Sequence, residues 1–271
     1  MASIVRPCLN TLLYSSPFLK AALFSLIVFA FSFYSELYEL GEADGPSKDF
    51  PLNRYYVKYN WAWTLLFLLP TVSLTAILYT GMELKDAIRH LFRLLINHLI
   101  WYSVTQLFLS YQRSVGACSN KSISNRSDCL SGGGTWSDID ISGHVFLLSF
   151  STMIISEEVM AISPWACSNY RILPPQPKWK ATILPVIYSH TLSSFTVVLF
   201  EIIAAIEIIL NVLMILITCL YFHTFYEKIL ALIISLTLWY VSYHVLYGSR
   251  KWLPCTVCEG KLNPLRSASS K

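Results

Sequence analysis

The chain has 271 residues, of which 55% are hydrophobic and only 13% charged, with a mean hydropathy of +0.52 and a net charge of +4. Soluble domains carry about 25% charged residues, so this composition excludes a water-solvated globule and makes lipid the main solvent. The small positive charge gives no sign of nucleic-acid binding, because the basic residues flank apolar runs instead of forming a phosphate-tracking stripe.

A bilayer core of about 30 Å takes about 20 apolar residues per helix, and the chain is read against that length. The first such run is 21–40. Arg6 and Lys20 precede it but no small-residue cleavage site follows, so it reads as a span and not as a removed signal peptide. The acidic loop "GEADGPSKDFPLN" (41–53) leads to "NRYYVKYNWAW", an interfacial aromatic belt, and to a second span at 60–80. The basic stretch "GMELKDAIRHLFR" (81–93) precedes a third span, 93–112. The longest loop, 113–138, is rich in Ser, Asn and Gly and is followed by a fourth span, 142–162. After the basic "SNYRILPPQPKWK" (168–180), region 181–222 is about twice the length of one span. Its first part carries Pro185, Ser189 and His190 and reads as an interfacial or re-entrant helix at 181–200; its second part, 202–222, reads as a span. Two full crossings there would put the basic tail on the wrong side. The last span is 228–247, and 248–271 is the tail. The fold class is therefore all-α: one polytopic transmembrane domain over 1–271, with six spans.

Positive-inside logic places both termini and the basic loops in the cytosol. The 113–138 loop falls on the opposite, lumenal side. It holds two glycosylation sequons, at Asn120 and Asn125, between Cys118 and Cys129, a pair suited to a disulfide in a secretory lumen. The C-terminal "CTVC" (Cys255, Cys258) lacks the second ligand pair of a zinc site and reads as free or lipidated thiols. Neither a metal nor a cofactor is expected.

The stretch "DIDISGHVFLLSFSTMIISEE" (138–158) concentrates the chemistry. Ionisable residues are costly in a membrane and rarely kept there without use. Asp138, Asp140 and Ser142 are candidate caps for the helix that carries His144 at its lumenal end. First-turn N–H groups favour anions, and Gly143 lets a ligand approach. Glu157 and Glu158 lie roughly 20 Å further down the helix and cannot serve His144. A second histidine, His223 in "YFHTFYEK", falls at a lumenal helix end as well, with Glu227 four residues on, where a helix would put both on one face. Two histidines at one bilayer face suit phosphoryl transfer, one attacking phosphorus and the other protonating the leaving oxygen. His90, His98, His190 and His244 read as packing residues nearer the cytosolic side or without polar company.

The stretches "GGGTWSDIDISGHVFLLSFSTMIISEE" and "YFHTFYEK" resemble the fat-storage-inducing transmembrane (FIT) family, related to lipid phosphate phosphatases. The resemblance implies that His144 is the acid and His223 the nucleophile of an endoplasmic-reticulum enzyme. That enzyme would cleave fatty acyl-CoA to acyl 4′-phosphopantetheine and adenosine 3′,5′-bisphosphate. It also implies a role in lipid-droplet formation and membrane homeostasis, with diacylglycerol and triacylglycerol as lipid partners. The phosphatases carry an arginine shortly before the nucleophilic histidine, whereas residues 216–222, "LITCLYF", hold no cation. Arg54, Lys58 and Arg113 are the lumenal candidates to meet phosphate charge. The alternative is a non-catalytic protein that partitions diacylglycerol and triacylglycerol, in which Asn211, Glu207 and His98 make buried lipid or helix contacts.

The topology has a direct test. Endoglycosidase should shift the mobility of the cell-expressed protein but not of the Asn120→Gln/Asn125→Gln variant, and protease added to intact microsomes should remove a C-terminal tag. A protected tag would overturn the six-span orientation.

Overall fold

A computed structural model describes residues 9–41, 43–47, 49–80, 84–119, 125–160, 162 and 194–247. A short helical segment at 9–14 turns at Ser15 into α1 (Pro17–Leu37), with proline at the helix start, where a missing N–H costs nothing. Then come a π-helical turn (Leu52–Val57), α2 (Asn60–Thr80) and α3 (Leu84–Val115). A small hairpin, β1 (Ala117–Cys118) with β2 (Trp136–Ser137), brackets α4 (Arg126–Ser131). The strands pair antiparallel with Cys118 opposite Trp136, and a Cys118–Cys129 disulfide ties α4 to β1 with Cα atoms 5.8 Å apart. Gly116 is required here: a Cβ would run into the Trp136 ring. The chain closes with α5 (Gly143–Val159), α6 (Ser194–Tyr221) and α7 (Phe225–Tyr240), the last prolonged by a second π-helical turn, Val241–Leu246.

Helix α5 is the axis of the bundle. From Val145 to Val159 every residue except Leu147 is buried, and α1, α2, α3, α6 and α7 all pack on it. Lipid tails are as apolar as Leu, so helices gain little here by hiding apolar surface and must gain from close packing and polar ties. Ser149, Ser151, Thr152 and Ser156 give α5 the small side chains that close packing needs. Phe150 stacks on Trp61 of α2 at 6.0 Å, and Phe146 meets Phe108 of α3 edge-on at 5.4 Å.

Three of the described helices are long and apolar enough to cross a bilayer: α1, α6 from Thr196, and α7 with its π-helical extension through Leu246. Helix α5 is 17 residues long, and α3, at 32 residues, carries charges in its first turns. Helix α6 begins at Ser194, so residues 194–200 continue the span expected at 202–222 instead of forming a separate interfacial helix. Residues 181–193 and His190 lie outside the described residues, as do Cys255 and Cys258.

At one end of the bundle lies a buried polar cluster. The Glu158 carboxylate accepts from Arg93 Nε (3.1 Å) and Nη2 (2.8 Å) and from the Tyr243 hydroxyl (2.8 Å), joining α5, α3 and the end of α7. Tyr247 donates to the Arg93 carbonyl at 3.2 Å, and His90 Nδ1 lies 3.0 Å from Arg93 Nη1. Glu157 accepts from Trp239 Nε1 at 3.1 Å and lies 3.2 Å from His244 Nε2. Sequence reading counts Arg93 among the cytosolic loop cations, but it is fully buried. His244, expected to lack polar company, faces Glu157, and His98 Nδ1 accepts from Trp61 Nε1 at 2.9 Å. These residues look peripheral in sequence because their partners sit on other helices.

Removing one member of a buried ion pair strands the other, at a cost of about 3–5 kcal/mol. Glu158→Leu should therefore lower the thermal midpoint of the detergent-purified protein strongly, and Arg93→Met added to it should restore part of the loss. A Glu158→Leu protein as stable as wild type would mean that the pair holds nothing together.

Candidate active site

The opposite end of the bundle is built around the α6–α7 reversal. A helix leaves its last carbonyls without partners, and here other helices supply them. Lys228 Nζ donates to the Cys219 carbonyl at 2.7 Å, and Ser35 Oγ of α1 donates to the Leu220 carbonyl at 2.6 Å. The chain turns through Phe222 and His223 into Thr224, the N-cap of α7. His223 has φ +60°, the left-handed conformation that ends many helices and is normally taken by glycine. A histidine there costs about 1–2 kcal/mol in steric strain. Such strain persists at functional sites where the surroundings impose it. His223 thus lies before α7 and does not share a helical face with Glu227, as a continuous helix would require.

Glu227 supplies the imposing contact. Its Oε2 accepts the Thr224 N–H at 2.8 Å and its Oε1 accepts the Asp140 N–H at 2.8 Å, so one carboxylate clamps the start of α7 to the approach to α5. The Ser142 N–H reaches the Glu227 carbonyl at 3.4 Å. His223 Nδ1 stands 3.9 Å from both Asp140 Oδ2 and Glu227 Oε2. Burial pushes the Asp140 carboxyl above the ordinary aspartate range; His223 opposes this, and Glu227 adds to it.

Ser142 caps α5, its Oγ accepting the Val145 N–H at 3.3 Å. Asp138 instead accepts from Gln112 Nε2 of α3 at 2.9 Å. Gly143 leaves open space beside its Cα, and His144 follows in the first turn, within electrostatic reach of His223. His144 also lines an open pocket of about 420 Å³ with Asp49, Asn53, Arg54 and Lys58. The last three come from the segment around the first π-helical turn, where the Lys58 N–H bonds the Asn53 carbonyl five residues back at 3.1 Å. Such turns are frequent at functional sites.

The fold thus gathers His144, His223, Ser142, Gly143 and Glu227 at one bundle end and brings Arg54 and Lys58 beside His144. Arg113, exposed at the end of α3, is not among the pocket residues. Asn125 caps α4, its Oδ1 accepting from the Ser127 N–H at 3.3 Å, while Asn120 lies outside the described residues. Sequence reasoning weighed Asp140 only as a cap, although it faces His223, and missed Asp49 and Asn53 altogether. Asp140 sits four residues before His144, which is a usable signal; Asp49 has none. Among the described residues no group of three or more His, Cys, Asp or Glu side chains is arranged to hold a metal ion.

Residues 110–243 match the family model described as Fat storage-inducing transmembrane protein. The acyl-coenzyme A diphosphatase FITM2 of Xenopus tropicalis is 32% identical over 232 residues, covering 83% of this chain and 81% of that protein. The chain belongs to the FIT family. FITM2 of Homo sapiens is 32% identical over 224 residues, covering 80% of this chain and 78% of its own length. FITM2 of Drosophila melanogaster is 29% identical over 93% of this chain, which spans only 63% of that longer protein. No solved structure matches the chain. The FIT-family model covers the hairpin, α5 and the α6–α7 reversal, and so takes in both histidines.

The strained backbone at His223 separates folding from chemistry. His223→Gly relieves the left-handed conformation and should unfold no earlier than wild type on heating, while losing catalytic activity. A clear drop in its thermal midpoint would show that the imidazole's contacts outweigh the strain.

Proposed function

We propose that this chain is an acyl-CoA diphosphatase, hydrolysing fatty acyl-CoA to acyl 4′-phosphopantetheine and adenosine 3′,5′-bisphosphate. The observation that carries the reading is that His144 and His223 lie at one bundle end within electrostatic reach of each other, with His144 lining a pocket that holds two cations. The names of the FITM2 relatives supply the substrate.

Chemistry follows from the two rings. The carboxylates of Asp140 and Glu227 face Nδ1 of His223 and favour a proton there, which leaves the Nε2 lone pair for attack. Nε2 forms a bond to the phosphorus on the pantetheine side. The bond from that phosphorus to the bridging oxygen breaks, and adenosine 3′,5′-bisphosphate leaves with a proton from the His144 imidazolium. Neutral His144 then takes a proton from water as the water oxygen attacks the phosphohistidine, releasing acyl 4′-phosphopantetheine and restoring both rings. Glu227 acts chiefly as the clamp that holds His223 in place, since both its oxygens receive backbone N–H groups.

In the proposed placement α1, α2, α3, α5, α6 and α7 are six spans of the endoplasmic-reticulum membrane. Both termini are cytosolic, and the 113–138 loop is lumenal and glycosylated at Asn120 and Asn125. The acyl chain lies among the bundle helices, and the activity supports lipid-droplet formation and membrane homeostasis, with diacylglycerol and triacylglycerol as lipid partners. The helix contacts of Asn211 and His98 fit the lipid-partitioning alternative as well, but that alternative gives the two histidines and the cation-lined pocket no role.

Purified protein should convert acyl-CoA to the two products, identified by mass. His223→Ala should abolish turnover, and His144→Ala should lower it by about 10²–10⁴-fold, the usual contribution of a positioned acid. Wild-type turnover in both variants, correctly folded and inserted, would refute the reading.

A further inference from the structure

The reaction assigned above requires the leaving group to depart opposite its nucleophile, and the fold distinguishes the two sides. His223 has Asp140 and Glu227 3.9 Å from its Nδ1, whereas His144 lines the pocket of Asp49, Asn53, Arg54 and Lys58, to which His223 does not contribute. In-line displacement puts the acid beside the leaving oxygen, so the side marked by His144 is the leaving group's. We infer that this pocket is the subsite for the nucleotide half of the substrate, and that Arg54 and Lys58 select the 3′-phosphate of adenosine 3′,5′-bisphosphate.

The lining matches that ligand group by group. Arg54 on the π-helical turn and Lys58 at its C-terminal cap, four residues apart, offer two cations to one phosphate. Asp49 would repel a phosphate but accepts hydrogen bonds from a ribose hydroxyl or an adenine amino group. Asn53 offers an amide to either. A pocket of about 420 Å³ lies in the range of small-molecule sites.

The subsite is also held in register with the histidines. Tyr56, between the two cations, points inward and is buried, and its hydroxyl donates to Asn211 Oδ1 at 2.7 Å. Asn60 Nδ2 donates to the same oxygen at 2.8 Å, and Asn211 Nδ2 donates to Thr152 Oγ1 at 2.9 Å. Thr152 sits on α5, eight residues below His144, so one chain of hydrogen bonds joins the cationic turn to the helix that presents the acid. All four side chains are buried, and their hydrogen bonds tie the turn to α5, although Asn60 Oδ1 itself has no partner.

This inference rests on the acyl-CoA reading, and a substrate comparison separates the two. Wild-type protein, Arg54→Ala/Lys58→Ala and Tyr56→Phe are assayed on a long-chain acyl-CoA and on the same thioester of 3′-dephospho-CoA. Hydrogen bonds to a charged group favour the wild-type substrate by about ten- to a hundredfold in kcat/KM. The double variant should bring that ratio close to one, its loss falling mainly on acyl-CoA and appearing in KM. Tyr56→Phe should reduce the ratio partly. Equal losses on both substrates would place the cations on the scissile diphosphate and overturn the subsite, as would a wild-type protein indifferent to the 3′-phosphate. A wild-type protein that turns over neither substrate overturns the reaction itself, and this subsite with it.

Discussion

A hydrocarbon solvent offers no hydrogen bonds, so the polar contacts that orient the helices of this bundle must be made within the protein. That constraint governs α5, which lies at the centre and is buried along nearly its whole length. Apolar packing alone would let neighbouring helices slide and rotate against it. Polar ties fix it at three depths: Glu227 to Asp140 at the site, Asn211 to Thr152 in the middle, and Glu158 to Arg93 and Tyr243 at the far end. The histidines inherit their relative position from these ties.

Two structural irregularities fall where the chemistry is proposed. The π-helical turn at Leu52–Val57 aims Arg54 and Lys58 at the pocket while turning Tyr56 inward. The left-handed residue between α6 and α7 is a histidine where a glycine would be easier to fold. Local conformational preference is overridden there by the Glu227 clamp and by the carbonyl partners Lys228 and Ser35. A site that places strain on its own nucleophile needs a rigid frame, and the buried hydrogen bonds around it supply one.

The helical architecture was legible in the sequence because hydropathy and span length depend on composition alone. The helices α2, α5 and α7 fall within a few residues of their expected ranges. His144 was legible through Ser-Gly-His and His223 through its place at a helix end, although nothing in the residue names announced the left-handed backbone. Facing was not legible. Arg93 reads as a loop cation because it follows basic residues, and only the position of Glu158, 65 positions later, explains its burial. Tyr56 and Asn211 stand 155 positions apart in stretches that read as aromatic belt and apolar span. Helix α6 begins earlier than expected because region 181–222 was divided by the side on which the basic tail must emerge, which constrains the number of crossings but not where a helix starts.

The Arg93–Glu158 pair carries a consequence for how the protein is made. Arg93 is synthesised with α3, before α5, and a buried arginine without its counter-ion is strongly unfavourable. Its counter-ion follows only after the disulfide-bonded hairpin has been synthesised, and the Tyr243 hydroxyl follows later still, near the end of the described chain. Until both partners are in place, the first turns of α3 carry an arginine without the carboxylate that neutralises it in the folded protein. Burial of this end of α3 is therefore coupled to the packing of α5 and of the end of α7.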